Sequence, residues 1–272
     1  MTGALEDGLP ESGEHDDYWR DLLTGDPSAL PRLSKLFRRM PAAPRCKSCG
    51  VPFAGPYTPV LRLFTFKPWP LNEQLCRPCF QGMAKQRGGA EVPVSLLFSD
   101  LRDSTTLAER TTPTEFKSIV DRFFSMVFAA VDSQGGVVDH IVGDGVMAMW
   151  APGFGGPEHP RRAVAAGRKL VSDLVADPLL RNVPAGVGVH TGVGWVGVVG
   201  ETGTHDFTVL GDVPNTTARL GSAGGGGELV MSQDIVQAAA VATDALERRV
   251  LDLKGKSEPF TAWVEVTNLL AG

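Results

Sequence analysis

From Glu91 onward the apolar residues of this chain switch between a period of two and a period of three to four, in an order that leaves few folds open. Val92 to Phe98 is an apolar strand that runs into the polar pair Ser99-Asp100. Residues 113–133 then repeat Ile119, Phe123, Val127 and Val131 at helical spacing, with Phe116, Val120, Phe124 and Phe128 widening the stripe. Thr112-Pro113-Thr114-Glu115 opens this helix with capping-box spacing and a proline in the first turn, where no N–H is needed. Val137–Val142 and Val146–Trp150 read as strands joined by the hairpin turn Gly143-Asp144-Gly145. A helix near 158–176, strands at Ala185–His190 and Gly194–Val199, a strand at Phe207–Leu210 and a helix near 213–222 follow. Arg249–Leu253 and Phe260–Val266 close the pattern. This β-α-β-β-α-β order predicts an α/β (α+β) domain: a ferredoxin-like sheet with helices on one face.

The chain ahead of Glu91 is of another kind. Residues 1–16 are polar and acidic and are expected to form a disordered tail. Residues 17–39 read as one or two short helices, 41–81 are rich in Pro, Gly and Cys, and Gly88-Gly89 reads as a linker. Three segments result: the tail 1–16, a helical and cysteine-bearing module at 17–87, and the α+β domain at 91–268. Every cysteine lies in one of two Cys-x-x-Cys pairs, Cys46/Cys49 and Cys76/Cys79. Each tight turn presents two thiolates, and two such turns fill a tetrahedral site. Structural zinc is the leading reading, with rubredoxin-like iron and unligated or disulfide-bonded thiols left open. Four cysteine ligands leave no open position on the ion, so its role is structural. The module resembles a zinc ribbon or rubredoxin-type knuckle pair.

Charge excludes less than it suggests. The net charge of −5 gives no general attraction to nucleic acid, yet residues 32–87 carry many Lys and Arg against Glu73 alone. The cluster Arg38, Arg39, Arg45 and Lys47 motivates one alternative, a zinc-ribbon nucleic-acid binder, although the aromatic platform for single strands is missing. No apolar run approaches the ~20 residues of a membrane helix, and the acidic start is unlike a signal peptide. A cytoplasmic location without membrane or nucleic-acid partners is therefore expected, where thiols persist.

Asp100 at a strand end and Asp144 in the neighbouring hairpin turn are placed to face one cavity. Paired carboxylates without Cys or His suit Mg²⁺ or Mn²⁺. Either residue alone would read as a helix cap or a turn former. The surrounding residues carry more. Phe98-Ser-Asp100-Leu-Arg-Asp-Ser-Thr105 and His140-Ile-Val-Gly143-Asp144-Gly-Val-Met-Ala resemble the two metal motifs of class III adenylate and guanylate cyclases. Gly188-Val-His190-Thr-Gly192 with Gly197 and Gly200 resembles the hairpin that follows them. Phe207-Thr208-Val-Leu-Gly211-Asp212-Val-Pro-Asn215-Thr-Thr-Ala-Arg219-Leu resembles the motif carrying the transition-state residues, and Leu253-Lys254-Gly-Lys256 is also similar. The matches occur in family order across the second domain.

The resemblance implies a homodimer with active sites at the subunit interface, converting ATP or GTP to a 3′,5′-cyclic nucleotide and pyrophosphate. Asp100 and Asp144 would hold two Mg²⁺ or Mn²⁺, Asn215 and Arg219 would serve catalysis, and Lys254 would touch the terminal phosphates. His140 and Thr208 would face the base. His140 stands where adenylate cyclases usually place Lys, which motivates a second alternative, a catalytically degenerate scaffold. Thr208 accepting from an adenine amino group favours ATP over GTP. His190 is expected to be a packed strand residue, and Gly224–Gly227, lacking a following Lys-Ser/Thr, a flexible loop and not a phosphate cradle.

Overall fold

A computed structural model describes residues 16–25, 33–41, 43–69, 72–85, 88–200, 206–253 and 259–267. The N-terminal segment holds α1 (Asp16–Thr24), α2 (Ser34–Phe37), α3 (Thr58–Leu63), β1 (Pro68–Trp69), β2 (Asn72–Cys76) and α4 (Arg77–Lys85). After it come β3 (Gly88–Leu101), α5 (Ser104–Arg110), α6 (Pro113–Ser133), β4 (Val137–Val142) and β5 (Gly145–Trp150). Next are α7 (Pro152–Gly155), α8 (His159–Ala176), β6 (Ala185–Val199), β7 (Asp206–Leu210) and α9 (Asp212–Ala223). The described chain ends with β8 (Glu228–Ser232), α10 (Gln233–Ala238), β9 (Glu247–Leu251) and β10 (Phe260–Val266).

Among the described residues the main sheet has eight strands in the order β4-β5-β3-β6-β8-β10-β9, with β7 also paired to β6. The two long strands β3 and β6 form its spine, antiparallel from Gly88↔Val198 to Leu101↔Ala185. One edge of β6 serves two neighbours: β8 runs parallel to it at Val187–Val189, and β7 antiparallel at Trp195–Val199. The expected capping box of α6 is present, with Thr112 accepting from the Glu115 amide at 3.2 Å and Glu115 accepting from the Thr112 amide at 2.8 Å.

Alternation along β3 divides the core. Leu97 and Leu101 point with Val146, Ala148, Val187 and Val189 into a cluster closed by α6, α8 and α10. Val92, Val94 and Leu96 point the other way and join Met147, Met149, Val196 and Phe207. The expectation of helices on one face is thus corrected, because this second face is also covered. α9 lies on one part of it, and α1 with the cysteine segment lies on another.

The Gly88-Gly89 linker is likewise replaced by structure: these residues are the first rungs of β3. A Cβ at Gly89 would stand 2.5 Å from the Val196 carbonyl and 2.6 Å from the Trp195 ring. Glycine here admits an aromatic ring over the strand, a packing need that reads in sequence as a flexible joint. The two strands expected at 185–190 and 194–199 are one continuous β6, and α3, β1, β2, α4, α5, α7, β8 and α10 are additions.

Candidate active site

Asp100 is the half-buried penultimate residue of β3, and Ser99 pairs with Val146 just after the β4–β5 turn that carries Asp144. Gly143, at φ +61°, takes the left-handed conformation that lets this turn close tightly. Asp144 is close enough to act electrostatically on Asp100. Burial pushes the Asp100 carboxyl upward, with Arg102 opposing and Asp144 adding to the rise. Arg102 Nη1 lies 3.6 Å from Asp100 Oδ1, an oxygen that is buried and accepts no hydrogen bond. A desolvated carboxylate oxygen beside a second carboxylate is a place that gains from a hard cation.

α9 reaches this site because of missing side chains. A Cβ on Gly186 would collide with the Gly221 carbonyl, and one on Gly188 with the Gly221 amide. Glycines at these β6 positions let the helix lie directly on the strand, beside the cross-strand partner of Asp100. Arg102 donates to the Gly221 carbonyl and ties helix to strand end. On α9 Asn215 is exposed, donating to the Gly211 carbonyl at 3.1 Å. Arg219 is half-buried and makes no hydrogen bond or ion pair among the described residues. No such contact joins Asn215 or Arg219 to Asp100 or Asp144 within the chain, again among the described residues. Lys254 lies outside them.

His140 and Thr208 do come together, through a residue that sequence reasoning missed. Asp139 Oδ2 is 3.0 Å from His140 Nδ1 and accepts from the Thr208 hydroxyl at 3.3 Å. Strict alternation would send Asp139 and His140 to opposite faces of β4. The pairing with β5 instead slips between Val138 and His140, a bulge that turns both side chains to one side. Gln74 of β2 holds the bulge from outside. Its amide oxygen accepts from the Val138 N–H at 2.8 Å, and its amide nitrogen donates to the Val138 carbonyl at 3.1 Å. Asp139 and His140 line a cleft of about 530 Å³ together with Arg45, Lys47, Glu73 and Gln74.

The four cysteines converge as expected. All are buried, and their sulfurs lie within 4.8 Å of one another. Cys49 and Cys76 Sγ are 3.7 Å apart, close to the ~3.8 Å edge of a tetrahedron with Zn–S bonds of about 2.3 Å. The Gly50 amide donates to the Cys46 carbonyl at 2.9 Å and the Cys76 amide to Cys46 Sγ at 3.2 Å, the turn and N–H···S contacts of a metal knuckle. Hydrogen bonds from Cys49, Cys76 and Cys79 hold the Cys46 thiol far below its ordinary range. Three of the nearby cations are engaged. Arg38 donates to the Ser48 carbonyl, Arg45 to those of Phe37 and Gly50, and Lys47 pairs with Asp132 at 2.6 Å. His190 is a packed strand residue, with Nδ1 2.8 Å from the Ser232 hydroxyl.

A mixed sheet with carboxylates at a strand end and at the adjoining turn, and a helix bedded on strand glycines, is the architecture of a nucleotide cyclase domain. Residues 89–266 match the adenylate and guanylate cyclase catalytic domain, and the chain belongs to that family. The guanylyl cyclase Cya2 is similar in structure, with 26% identity and a TM-score of 0.61 over 68% of this chain and 98% of that one. The adenylyl cyclase CyaB from P. aeruginosa shares the fold, at 24% identity and a TM-score of 0.57 over 68% and 99%. In sequence, Rv1319c of Mycobacterium tuberculosis is 30% identical over 138 residues, 50% of this chain and 25% of that protein. Mb1352c of Mycobacterium bovis is 32% identical over 184 residues, 63% of this chain and 32% of that protein. The chain spans about a quarter to a third of the length of these relatives. No helix among the described residues is long and apolar enough to cross a membrane.

Proposed function

We propose that this chain cyclises a purine nucleoside triphosphate, ATP ahead of GTP, to the 3′,5′-cyclic nucleotide and pyrophosphate, for signalling inside the cell. The observation that carries the reading is the buried, unbonded Asp100 oxygen beside Asp144 at one end of the spine strands. Asp100 and Asp144 would hold two Mg²⁺ or Mn²⁺, which supply neutralisation of the triphosphate and acidification of the ribose 3′-hydroxyl. Arg219 stabilises the charge that builds on the phosphoryl oxygens as the 3′-oxygen attacks the α-phosphorus in line and pyrophosphate departs. Asn215, four residues earlier on the same helical face, orients the ribose. Lys254 meets the terminal phosphates, and His140 with Thr208 reads the base. As the family resemblance implies, Asn215 and Arg219 of one protomer complete the carboxylates of the other in a cytoplasmic homodimer, and among the described residues no hydrogen bond or ion pair joins the two sets within one chain. The cysteine module at 17–87 binds one structural zinc and precedes the catalytic domain at 91–268, behind the acidic tail 1–16.

Mixing variants tests this arrangement. Asp144→Ala and Arg219→Ala are each expected to be inactive alone. Their mixture should recover roughly a quarter of parental activity, because half the dimers are mixed and each of those holds one intact site. Product from either variant alone at the parental rate overturns the reading. His140 at the position where Lys is usual favours one second reading, a degenerate cyclase-fold scaffold. Absence of turnover of both nucleotides with Mg²⁺ and with Mn²⁺ would select it. Against the nucleic-acid reading, Arg38 and Arg45 of the basic cluster donate to the chain's own carbonyls and Lys47 pairs with Asp132.

A further inference from the structure

The bulge in β4 leaves a carboxylate where the family resemblance has nothing to say. The Asp139 side chain has 0% exposure, and its Oδ2 stands against two groups, the His140 imidazole and the Thr208 hydroxyl. Its Oδ1 is buried without a hydrogen-bond partner. Two consequences follow from donor and acceptor counting. The single hydroxyl hydrogen of Thr208 points at Asp139, so the oxygen lone pairs are what Thr208 offers elsewhere. The Nδ1 of His140 shares a proton with Asp139. As long as the pair is neutral overall, Nε2 carries a hydrogen, whether the shared proton rests on oxygen or on nitrogen. A buried carboxylate without a proton or a counter-charge is disfavoured, which keeps the pair neutral.

We propose that Asp139 is a positioning residue that keeps a hydrogen on His140 Nε2 and turns the lone pairs of Thr208 toward the base, so that the pair selects adenine. The inference rests on the reading of His140 and Thr208 as the base-facing residues. With Thr208 opposite the substituent at C6 and His140 opposite N1, the site offers an acceptor to the adenine amino group and a donor to adenine N1. Guanine presents the reverse at both atoms, an acceptor at O6 and a donor at N1.

The hydrogen bond to Asp139 raises the His140 pKa above its ordinary value, with burial opposing and the charges of Asp139 and then Asp206 of β7 adding to the rise. From the N-terminal segment Arg45, Lys47 and Glu73 face the same cleft, and from α6 Asp132 does. Lys47 is paired with Asp132, so its charge is largely balanced. With the folded pKa raised, the Nε2 hydrogen is retained above the free imidazole midpoint of about 6.5 and is lost only as pH rises through the folded value.

The test uses the full chain with isotope-labelled histidine, His140 being assigned by its loss in His140→Lys. The parental His140 midpoint should lie above that of free imidazole. Asp139→Asn, which keeps an oxygen for Nδ1 but removes the charge, should lower the midpoint by about one pH unit. Thr208→Val, which takes a donor from Asp139, should raise it. In turnover, Asp139→Asn should move the alkaline limb of kcat/KM for ATP to lower pH and cut the ATP-over-GTP ratio severalfold at a pH between the parental and variant midpoints. Adding His140→Lys should restore the ATP preference, because a lysine donates across this range. A parental midpoint at or below the free value overturns the proposal, as does a midpoint indifferent to Asp139→Asn. If His140→Ala and Thr208→Ala leave base choice unchanged, the base-facing reading itself falls. If they change it while Asp139→Asn moves neither midpoint nor ratio, only the role of Asp139 falls.

Discussion

His159 opens α8 and sets its ring against Ser95 of β3, in an environment opposite to that around His140. Thr191 donates to the Val94 carbonyl at 3.0 Å and Ser95 donates to Thr191 at 2.9 Å, which leaves the Ser95 oxygen to accept from His159 Nδ1 at 2.9 Å. Among the described residues no carboxylate partner offsets the loss of water, so burial lowers the His159 pKa to about 4. The unfolded chain binds this proton near pH 6.5 and the folded chain only near pH 4, so the contribution is complete above 6.5 and fades as pH falls through that window. The loss is about 3 kcal/mol at most. Urea midpoints at pH 7 and pH 4.5 should therefore separate more for the parental chain than for His159→Gln. Equal separations would show that His159 does not couple folding to acid. Such environments were only partly legible in sequence. His140 and Thr208 follow from their places in ordered motifs. Asp139 does not, since a period of two turns it away from His140 until a bulge is known. The His159 surroundings depend on how α8 sits on the sheet, which no local pattern states.

Among the elements, those with long amphipathic signals were legible: α6 with its capping box, the β4–β5 hairpin, α8 and α9. The short α3 and α4 were not, because a stretch gathered around a four-cysteine cluster carries little periodicity of its own. β4 is an edge strand, and Gln74 supplies both hydrogen bonds that a neighbouring strand would have given Val138. Gln74 is in turn held by the knuckle, its carbonyl accepting from the Lys47 amide at 2.9 Å. Two hydrogen bonds of about 1 kcal/mol each are at stake. Gln74→Ala is expected to leave zinc content unchanged while speeding amide exchange at 138–140 by roughly tenfold or more. Joint replacement of Cys46 and Cys49 by Ser should produce the same acceleration and also lose the zinc. Exchange in β4 that ignores Gln74→Ala would mean the bulge holds itself.

At the scale of the whole molecule, one apolar cluster runs from the cysteine segment into the spine of the sheet. Trp19 of α1 stacks on Phe207 of β7 at 5.9 Å between ring centroids, and Phe154 meets the same ring edge-on at 6.0 Å. Cys46, Cys49 and Cys76 belong to the cluster that contains Val92, Val94 and Val196. A chain begun at Gly88 would uncover that face. It should bind ANS and migrate as aggregates in size-exclusion chromatography, where the full chain is expected to do neither; a monodisperse, dye-silent fragment would contradict this. Heredity draws its border at residue 89, but mechanics does not respect it. Whatever grips or strips the knuckle leans on the same two strands whose far end presents Asp100, so the front of the molecule is less a neighbour of the enzyme than part of its frame.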